Sequence, residues 1–167
     1  MLLSEIPSAE SENVSLLPLS ENDVSDYARL LRDSGNNKYW GYDYKEDYPD
    51  ADDGFLYELA RREFEYSSAI ILAVKHNGDF IGEASIHCFD FKGGADVSLR
   101  ILPEKQKKGY ARETLDLLFG VGADIGLTTL YARINRENIP SVALFSRDAD
   151  AVSEEDGEIC CTYDLYE

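Results

Sequence analysis

The sequence predicts a single α/β domain in which a central mixed sheet, antiparallel in its middle, is flanked by helices. Three observations predict this fold class. Apolar and polar residues alternate in several segments of strand length, of which residues 96–101 are the clearest. Other segments carry apolar residues at helical spacing, as residues 110–125 do. Asn77 and Gly78 separate two strand-like segments and form a strong hairpin signal.

The predicted elements follow one another along 167 residues, a length that suits one domain, residues 1–167, with its own core. Residues 1–13 are polar and are expected to be flexible. Ser20 to Asp23 resembles a capping box at the start of the first helix, and Gly35 is expected to end that helix. The predicted strands cover residues 14–19, 69–76, 80–90, 96–101, 129–135 and 158–166, and the later helices cover residues 54–66, 110–125 and 138–147.

Composition argues against several classes of function. The net charge is −17, from 33 acidic and 16 basic residues, which disfavours binding to nucleic acid or to an anionic membrane. No apolar run is long enough to span a bilayer, and the first residues lack the basic and apolar regions of a signal peptide. The three cysteines, two of them adjacent, give neither a disulfide framework nor a metal-binding spacing. These features predict a cytoplasmic protein without a metal ion.

The segment from Asp96 to Arg112 combines a strand, a basic loop and the start of a helix. Pro103 ends the strand because it has no N–H for the ladder. Gly109 lets the backbone approach a ligand closely, and the next helix offers unpaired N–H groups at its positive end. The cationic side chains around this point belong to Lys105, Lys107, Lys108 and Arg112. The segment predicts a cradle for a phosphate or pyrophosphate; an ordinary strand-to-helix turn with solvated lysines is the alternative.

Two nucleotide-binding fingerprints are absent, since the chain has no G-x-x-x-x-G-K-S/T and no G-x-G-x-x-G. Gln106-x-x-Gly109-x-Ala111 instead resembles the Q/R-x-x-G-x-G/A signature of the GNAT acetyltransferases. Asn138 to Ser141 resembles the Asn-x-x-Ser helix start of the same superfamily. Residues 96–147 are most similar to its ribosomal-protein N-terminal acetyltransferase (RimJ/RimL-like) branch, and the resemblance is good over residues 80–145. The resemblance implies the GNAT fold, a mostly antiparallel twisted sheet that splays open at the cofactor. It also implies an N-acetyltransferase that moves an acetyl group directly from acetyl-CoA to a primary amine.

The resemblance further implies roles for individual residues. A backbone N–H of Arg100, Ile101 or Leu102 would stabilise the oxyanion that forms on the thioester carbonyl, and Asn138 would contact the pantetheine arm. The residues implied in pyrophosphate binding are Gln106, Lys107, Lys108, Gly109, Tyr110, Ala111 and Arg112. Phe145 stands where many family members have a tyrosine acid, and it cannot donate a proton. The alternative function is therefore a catalytically weakened acyl-CoA-binding or regulatory module of the same fold.

The candidates for the base that takes the amine proton are Glu83 and His87. Alternation in residues 80–90 places both on one face with Ile81, and places Phe80 on the other face with Ala84. Histidine titrates near the working pH, which suits this task. The alternative is a polar strand face covered by a helix or by solvent.

Residues 38–54 mix aromatic and acidic side chains without a period, so they are predicted to form a loop. Such a loop can hold a cationic amine through cation–π and ionic contacts, here with Trp40, Tyr42 and Asp43. The alternative is an aromatic lid packed on the core, with its acids in water. The expected partner is a small-molecule or peptide amine, with no nucleic acid and no membrane, and the chain is expected to be a monomer or homodimer.

Overall fold

The computed structural model describes residues 3–40 and 43–166. Within these residues, eight strands form one sheet flanked by six α-helices. The strands are β1 (Ala9–Glu10), β2 (Ser15–Pro18), β3 (Ala69–His76), β4 (Asp79–His87), β5 (Gly94–Ile101), β6 (Thr129–Asn135), β7 (Ala151–Glu155) and β8 (Glu158–Asp164). The helices are α1 (Val24–Leu31), α2 (Ser34–Asn37), α3 (Tyr44–Asp47), α4 (Asp53–Glu65), α5 (Tyr110–Asp124) and α6 (Ile139–Ser146).

The strands lie in the order β1-β2-β3-β4-β5-β6-β8-β7. Each neighbouring pair is antiparallel except β5 and β6, which run parallel. The mixed, mostly antiparallel sheet predicted from the sequence is confirmed, and so is the hairpin between β3 and β4. β5 and β6 pair only over residues 94–96 and 129–131. Their remaining residues diverge and leave a gap near the middle of the sheet.

Helices cover both faces of the sheet and create two apolar clusters. On one face, Leu115 and Leu118 of α5 pack in a cluster with the buried residues of β3 to β6. On the other face, Leu30 of α1 and Leu56 of α4 pack in a cluster with Phe80 of β4. Burial of these side chains from water is the main force that holds the layers together. The gap between β5 and β6 therefore lies inside a three-layer structure.

A β-bulge in β4 changes the faces of its first residues. The register of β3 against β4 shifts by one residue after Val74, which leaves Ile81 as the extra residue of β4. Ile81 packs in the cluster on the α5 side, and Phe80 packs in the cluster on the opposite side. The faces predicted for these two residues are therefore wrong, because strict alternation does not continue across a bulge. Glu83 and His87 lie beyond the bulge and keep their common face.

Three further segments differ from the prediction. α1 ends at Leu31, and Gly35 lies inside α2 instead of ending the first helix. The segment predicted as a loop, residues 38–54, contains the short helix α3. β7 escaped prediction because all five of its residues are exposed. A strand without a buried face shows no alternation of apolar residues.

The N-terminal segment is attached to the rest of the molecule at two places. β1 pairs with β2, and the side chains of Ser11 and Asn13 donate hydrogen bonds to the Glu113 carboxylate in α5. Residues 9–13 thus differ from the flexible segment that the sequence predicts, because backbone pairing and these contacts hold them. Among residues 3–40 and 43–166, no helix has both the length and the apolar composition needed to cross a membrane.

Candidate active site

The diverging ends of β5 and β6 line a cavity of about 690 Å³, the splay cavity. Its other walls are the segment of residues 35–40, the loop after β5, the first turn of α5 and several residues of α6. All the predicted cofactor-binding residues except Leu102 and Lys108 line it. Leu102 is instead buried in the apolar cluster under α1 and α4. The segment singled out by its sequence pattern thus faces a cavity of a size that suits a cofactor.

The loop before α5 presents a run of backbone N–H groups to the splay cavity. Gly109, the residue before α5, has a φ of +86°, and a Cβ atom added there would meet no atom within 4 Å. In the described part of the chain, the N–H groups from Lys107 to Arg112 donate to no protein acceptor. Unpaired donors of this kind, at the positive end of a helix, suit a phosphate or pyrophosphate.

Gln106 shapes this loop from within. Its backbone N–H donates to the Pro103 carbonyl at 3.3 Å, and its side-chain amide donates to the Ile101 carbonyl at 3.0 Å. The Asn36 amide donates to the same Ile101 carbonyl at 3.0 Å, which ties α2 to the end of β5. The backbone N–H of Gln106 is therefore already used, and the run of unpaired N–H groups begins at Lys107, one residue later than the resemblance implied.

Backbone geometry separates the three N–H groups considered as oxyanion donors. The Leu102 N–H donates to the Ile81 carbonyl of β4 at 2.8 Å. Because successive N–H groups of a strand point in opposite directions, the Arg100 N–H points toward β4 as well. The Ile101 N–H points away from β4, toward the splay cavity. It is the donor that the geometry favours.

Asn138 and Phe145 lie near the two ends of α6 and line the splay cavity. Asn138 occupies the N-cap position, as predicted, but its side chain makes no capping hydrogen bond. Phe145 is only 6% exposed, and its carbonyl accepts a hydrogen bond from the Tyr163 hydroxyl. The ring at this position is therefore an apolar wall without a proton to donate.

A second cavity of about 990 Å³, the sheet-face cavity, lies against β4 and β5 on the side of α1 and α4. Glu83 and His87 both line it, together with Trp40. The residues shared by the two cavities are Tyr39, Trp40, Val97, Ser98 and Arg133. The two cavities are therefore neighbours that share one border, which these residues form.

Glu83 forms a buried ion pair with Arg100, the residue opposite it in β5. The Arg100 Nε donates to Glu83 Oε1 at 2.8 Å, Nη2 donates to the same oxygen, and Nη1 donates to Asn37 Oδ1 at 3.0 Å. Burial alone would lower the pKa of Arg100, but the Glu83 carboxylate together with Tyr44 and Tyr27 outweighs it, and the pKa lies above its usual value. Burial and the Glu83 charge together hold the pKa of Tyr27 well above its ordinary range.

Sequence reasoning missed this ion pair, although a signal for it exists. Opposite charges that face each other in adjacent strands attract, but the pairing can be read only once the register of β4 and β5 is known. As a result, the Glu83 carboxylate is the partner of a buried cation, which makes it less available as a base.

His87 belongs to a hydrogen-bonded network with two serines. Its Nε2 lies 3.1 Å from Ser98 Oγ, which lies 2.7 Å from Ser85 Oγ, and its Nδ1 lies 3.2 Å from Cys88 Sγ. Burial lowers the pKa of His87 below its ordinary value, against the opposing effect of Asp96. The imidazole is therefore neutral near pH 7, and its lone pair can accept a proton.

The residues predicted to bind the acceptor have different surroundings. Trp40 lines both cavities, and its ring lies over the guanidinium of Arg100, 3.8 Å from the ring centroid. The Asp43 carboxylate accepts the Lys45 N–H at 2.9 Å at the N-terminus of α3, and it lines neither cavity. Asp43 thus caps α3, a common role of aspartate, and its predicted contact with an acceptor stays a prediction. Tyr42 lies outside the described residues.

A gap between two parallel strands, a run of unpaired N–H groups and an adjoining second cavity are features that suit two substrates, one of them phosphorylated. Residues 13–147 match the family model described as an acetyltransferase (GNAT) domain. The match covers most of the chain, which therefore belongs to the GNAT family of acetyltransferases. Three predictions from the sequence are thereby confirmed: that the chain is a GNAT protein, that it is an acyltransferase, and that acetyl-CoA is its co-substrate. A comparison with curated proteins gives no match.

Solved structures agree with this fold. Spermidine N-acetyltransferase from Vibrio cholerae, in complex with CoA and spermine, is 18% identical; the alignment covers 91% of this chain and 94% of that one, with a TM-score of 0.73. RimJ from Mycobacterium smegmatis, with a CoA disulfide, is 17% identical over 90% of this chain and 81% of its own, with a TM-score of 0.72. RimL, a ribosomal-protein acetyltransferase in complex with CoA, is 14% identical over 95% of this chain and 97% of its own, with a TM-score of 0.73. At these identities the similarity concerns the fold.

Proposed function

We propose that this protein transfers the acetyl group of acetyl-CoA directly to a primary amine that carries positive charge. The observation that carries the proposal is the junction of the two cavities beside Ser98. A thioester at the end of the splay cavity and an amine in the sheet-face cavity would meet at this junction. Such positioning of two reactants is itself a large part of catalysis.

The splay cavity suits the CoA part of the co-substrate. The N–H groups from Lys107 to Arg112 would hold the pyrophosphate, with positive charge from Lys105 at the same cavity. Asn138 would contact the pantetheine arm. Acetyl-CoA supplies an activated acyl carbonyl, and the Ile101 N–H would stabilise the negative charge that develops on its oxygen.

His87 is the base that this geometry favours. Ser98 lines both cavities, and its hydroxyl can donate to His87 Nε2 while its oxygen accepts a hydrogen bond from the attacking amine. The amine proton would then pass to Ser98 as the Ser98 proton passes to Nε2. Glu83 would act by neutralising Arg100 at the floor of the cavity. No acid is needed at Phe145, because the thiolate of a thiol with a pKa of about 8.5 is an adequate leaving group without protonation.

The acidic side chains of the sheet-face cavity support a cationic acceptor. Three acidic residues, Asp47, Glu63 and Asp96, line this cavity. Arg133 also lines it, but at the border that it shares with the splay cavity. The net charge of −17 steers cations toward the protein as a whole. The structurally similar spermidine N-acetyltransferase holds spermine, a polyamine, and RimL acts on a ribosomal protein. A polyamine and a basic peptide N-terminus are the two forms of acceptor that fit these observations.

The remaining expectations belong to the same proposal. The chain is proposed to act as one domain, as a monomer or homodimer in the cytoplasm. Its acidic surface supports small or peptide amines as partners and disfavours nucleic acid and anionic membranes.

The test is turnover of acetyl-CoA with a panel of amines: a polyamine, an amino sugar, a basic peptide and an acidic peptide. The acetylated product is measured by mass spectrometry. We expect product from the polyamine or the basic peptide and little from the acidic peptide. Calorimetric binding of CoA without product from any amine would instead support the alternative, a regulatory module that binds acyl-CoA.

A further inference from the structure

His87, Cys88 and Asp96 form a cluster of three different metal-ligand types at the end of β4. Their ligand atoms all lie within 4.8 Å of one another. His87 Nδ1 lies 3.2 Å from Cys88 Sγ, and Asp96 is the residue opposite His87 in β5. Sequence spacing gives no sign of such a cluster, because its third member comes from the next strand.

The backbone at Cys88 is what brings the thiol to the imidazole. In a regular strand, neighbouring side chains point to opposite faces, so Cys88 would face away from His87. β4 instead ends at His87, and Cys88 has a φ of +51°, in the left-handed region that residues with a Cβ seldom adopt. The turn places sulfur, nitrogen and oxygen donors on the same side of the chain.

The surroundings can accommodate a cation. Arg133 lies 3.5 Å from Asp96 and is 62% exposed, so it can move into water when a metal ion takes its place. The Glu83 and Glu63 carboxylates contribute negative potential to His87. All three ligand residues border the sheet-face cavity, and Cys88 is exposed, so an ion can enter from solvent.

We propose that His87, Cys88 and Asp96 bind a divalent transition-metal ion such as Zn²⁺, and that the bound ion switches off acetyl transfer. Thiolate, imidazole and carboxylate are the donors that Zn²⁺ takes, and three protein ligands leave one position for water. Binding forms one bond from zinc to each of Sγ, Nδ1 and a carboxylate oxygen, and releases the thiol proton and zinc-bound waters.

Zinc would inhibit because the same His87 ring carries both the metal ligand, Nδ1, and the proposed base, Nε2. When zinc occupies Nδ1, the imidazole proton must be on Nε2. Nε2 then donates to Ser98 and has no lone pair to accept a proton. This half of the inference depends on the proposed function, whereas metal binding itself does not.

Metal binding is tested on the full chain by calorimetric titration with ZnCl₂. We expect one site per chain, weakened by about tenfold or more in Cys88→Ser and in Asp96→Asn, since losing a ligand costs at least as much as losing a supporting contact. The matched controls are Cys160→Ser and His76→Gln, a cysteine and a histidine outside the cluster, which should bind zinc as the unchanged chain does. Co²⁺ should give a thiolate charge-transfer absorption that disappears only in Cys88→Ser. Zinc binding that is unchanged in Cys88→Ser, or lost in the controls, would overturn the site.

Inhibition is tested by the rate of acetylated product formation with and without Zn²⁺, each variant being compared with its own metal-free rate. Mass spectrometry is used because zinc also binds free CoA thiol. We expect zinc to inhibit the unchanged chain and the two control variants, and to inhibit Cys88→Ser about tenfold less at the same concentration. Zinc binding at the site with full activity would overturn the switch. A chain that acetylates no amine would refute the proposed function, while the calorimetric result would still decide the metal site.

Discussion

The carboxylate of Glu83 and the guanidinium of Arg100 form an ion pair with only 4% and 2% of their side chains exposed. The pair joins β4 to β5, and the same guanidinium also contacts Asn37 of α2 and Trp40, which lines the sheet-face cavity. Arg100 thus connects the sheet to this wall. A buried pair of this kind is costly to break, because the remaining charge has no water around it.

Removing one charge of this pair should destabilise the protein strongly. We expect Glu83→Gln to lower the free energy of unfolding by about 3–5 kcal/mol, measured by urea denaturation, because Arg100 is left as an uncompensated buried cation. Glu58→Gln is the matched control, since Glu58 pairs with Arg61 at the surface, and it should change stability very little. Equal stabilities for the two variants would contradict the buried role of Glu83.

If the N–H groups from Lys107 to Arg112 hold the pyrophosphate, a methyl group added at Gly109 should weaken CoA binding selectively. Gly109→Ala should weaken CoA binding measured by calorimetry, because the new Cβ occupies space beside the N–H groups that would hold the pyrophosphate. Gly78→Ala is a close control, with a φ of +82° and an equally open position at a distant hairpin. Both variants should lose about 1–2 kcal/mol of stability to backbone strain, yet only the first should lose affinity for CoA. Equal CoA affinities of Gly109→Ala and Gly78→Ala would contradict pyrophosphate binding by the loop at Gly109.

The pH dependence of turnover should identify the base. Neutral His87 is the active form, so kcat/KM should fall as pH drops through its pKa, which burial moves below the ordinary histidine value. His87→Gln should remove this acid limb and reduce kcat/KM by about 10²–10⁴-fold. The other histidine provides the control: His76, whose Nδ1 bonds the Asn13 carbonyl, should be replaceable by Gln with the profile intact. An acid limb that persists in His87→Gln would exclude His87 as the base.

Phe145 allows a test of whether an acid is needed. Phe145→Tyr should leave kcat unchanged or raise it, because the thiolate is expected to depart without a proton donor. The fold of the Phe145→Tyr variant should be checked by circular dichroism, because position 145 is buried and must accommodate an added hydroxyl group. If Phe145→Ala abolishes turnover while CoA binding and folding survive, the ring itself contributes to the reaction.

Trp40 should affect the acceptor more than the co-substrate. Trp40→Ala is expected to raise the KM for the amine and to leave the KM for acetyl-CoA nearly unchanged, because it opens the wall of the sheet-face cavity. Asp43→Asn is the comparison within the same segment: it should change neither KM, since Asp43 caps α3 and lines neither cavity. An equal rise of both KM values in Trp40→Ala would indicate a structural role for the ring at the junction.

The local features of this protein can be predicted from its amino-acid sequence. Alternation and helical periodicity predict most strands and the long helices, because they report which side of each element is buried. The order of strand, basic loop, Gly109 and helix predicts the cradle, since a helix N-terminus carries its unpaired N–H groups wherever the helix packs. The Gln106-x-x-Gly109-x-Ala111 signature lies in the same contiguous segment, so it does not depend on any distant contact.

Contacts between residues that are distant in the sequence follow from the folded arrangement of the strands and helices. The bulge at Ile81 changes the faces of β4, and a periodicity cannot reveal where a residue is inserted against a neighbouring strand. The Glu83–Arg100 pair and the contact of His87 with Ser98 both depend on the register of β4 and β5. The splay cavity exists because β5 and β6 pair at one end and diverge at the other, and its position beside the sheet-face cavity depends on how helices pack on both faces of the sheet.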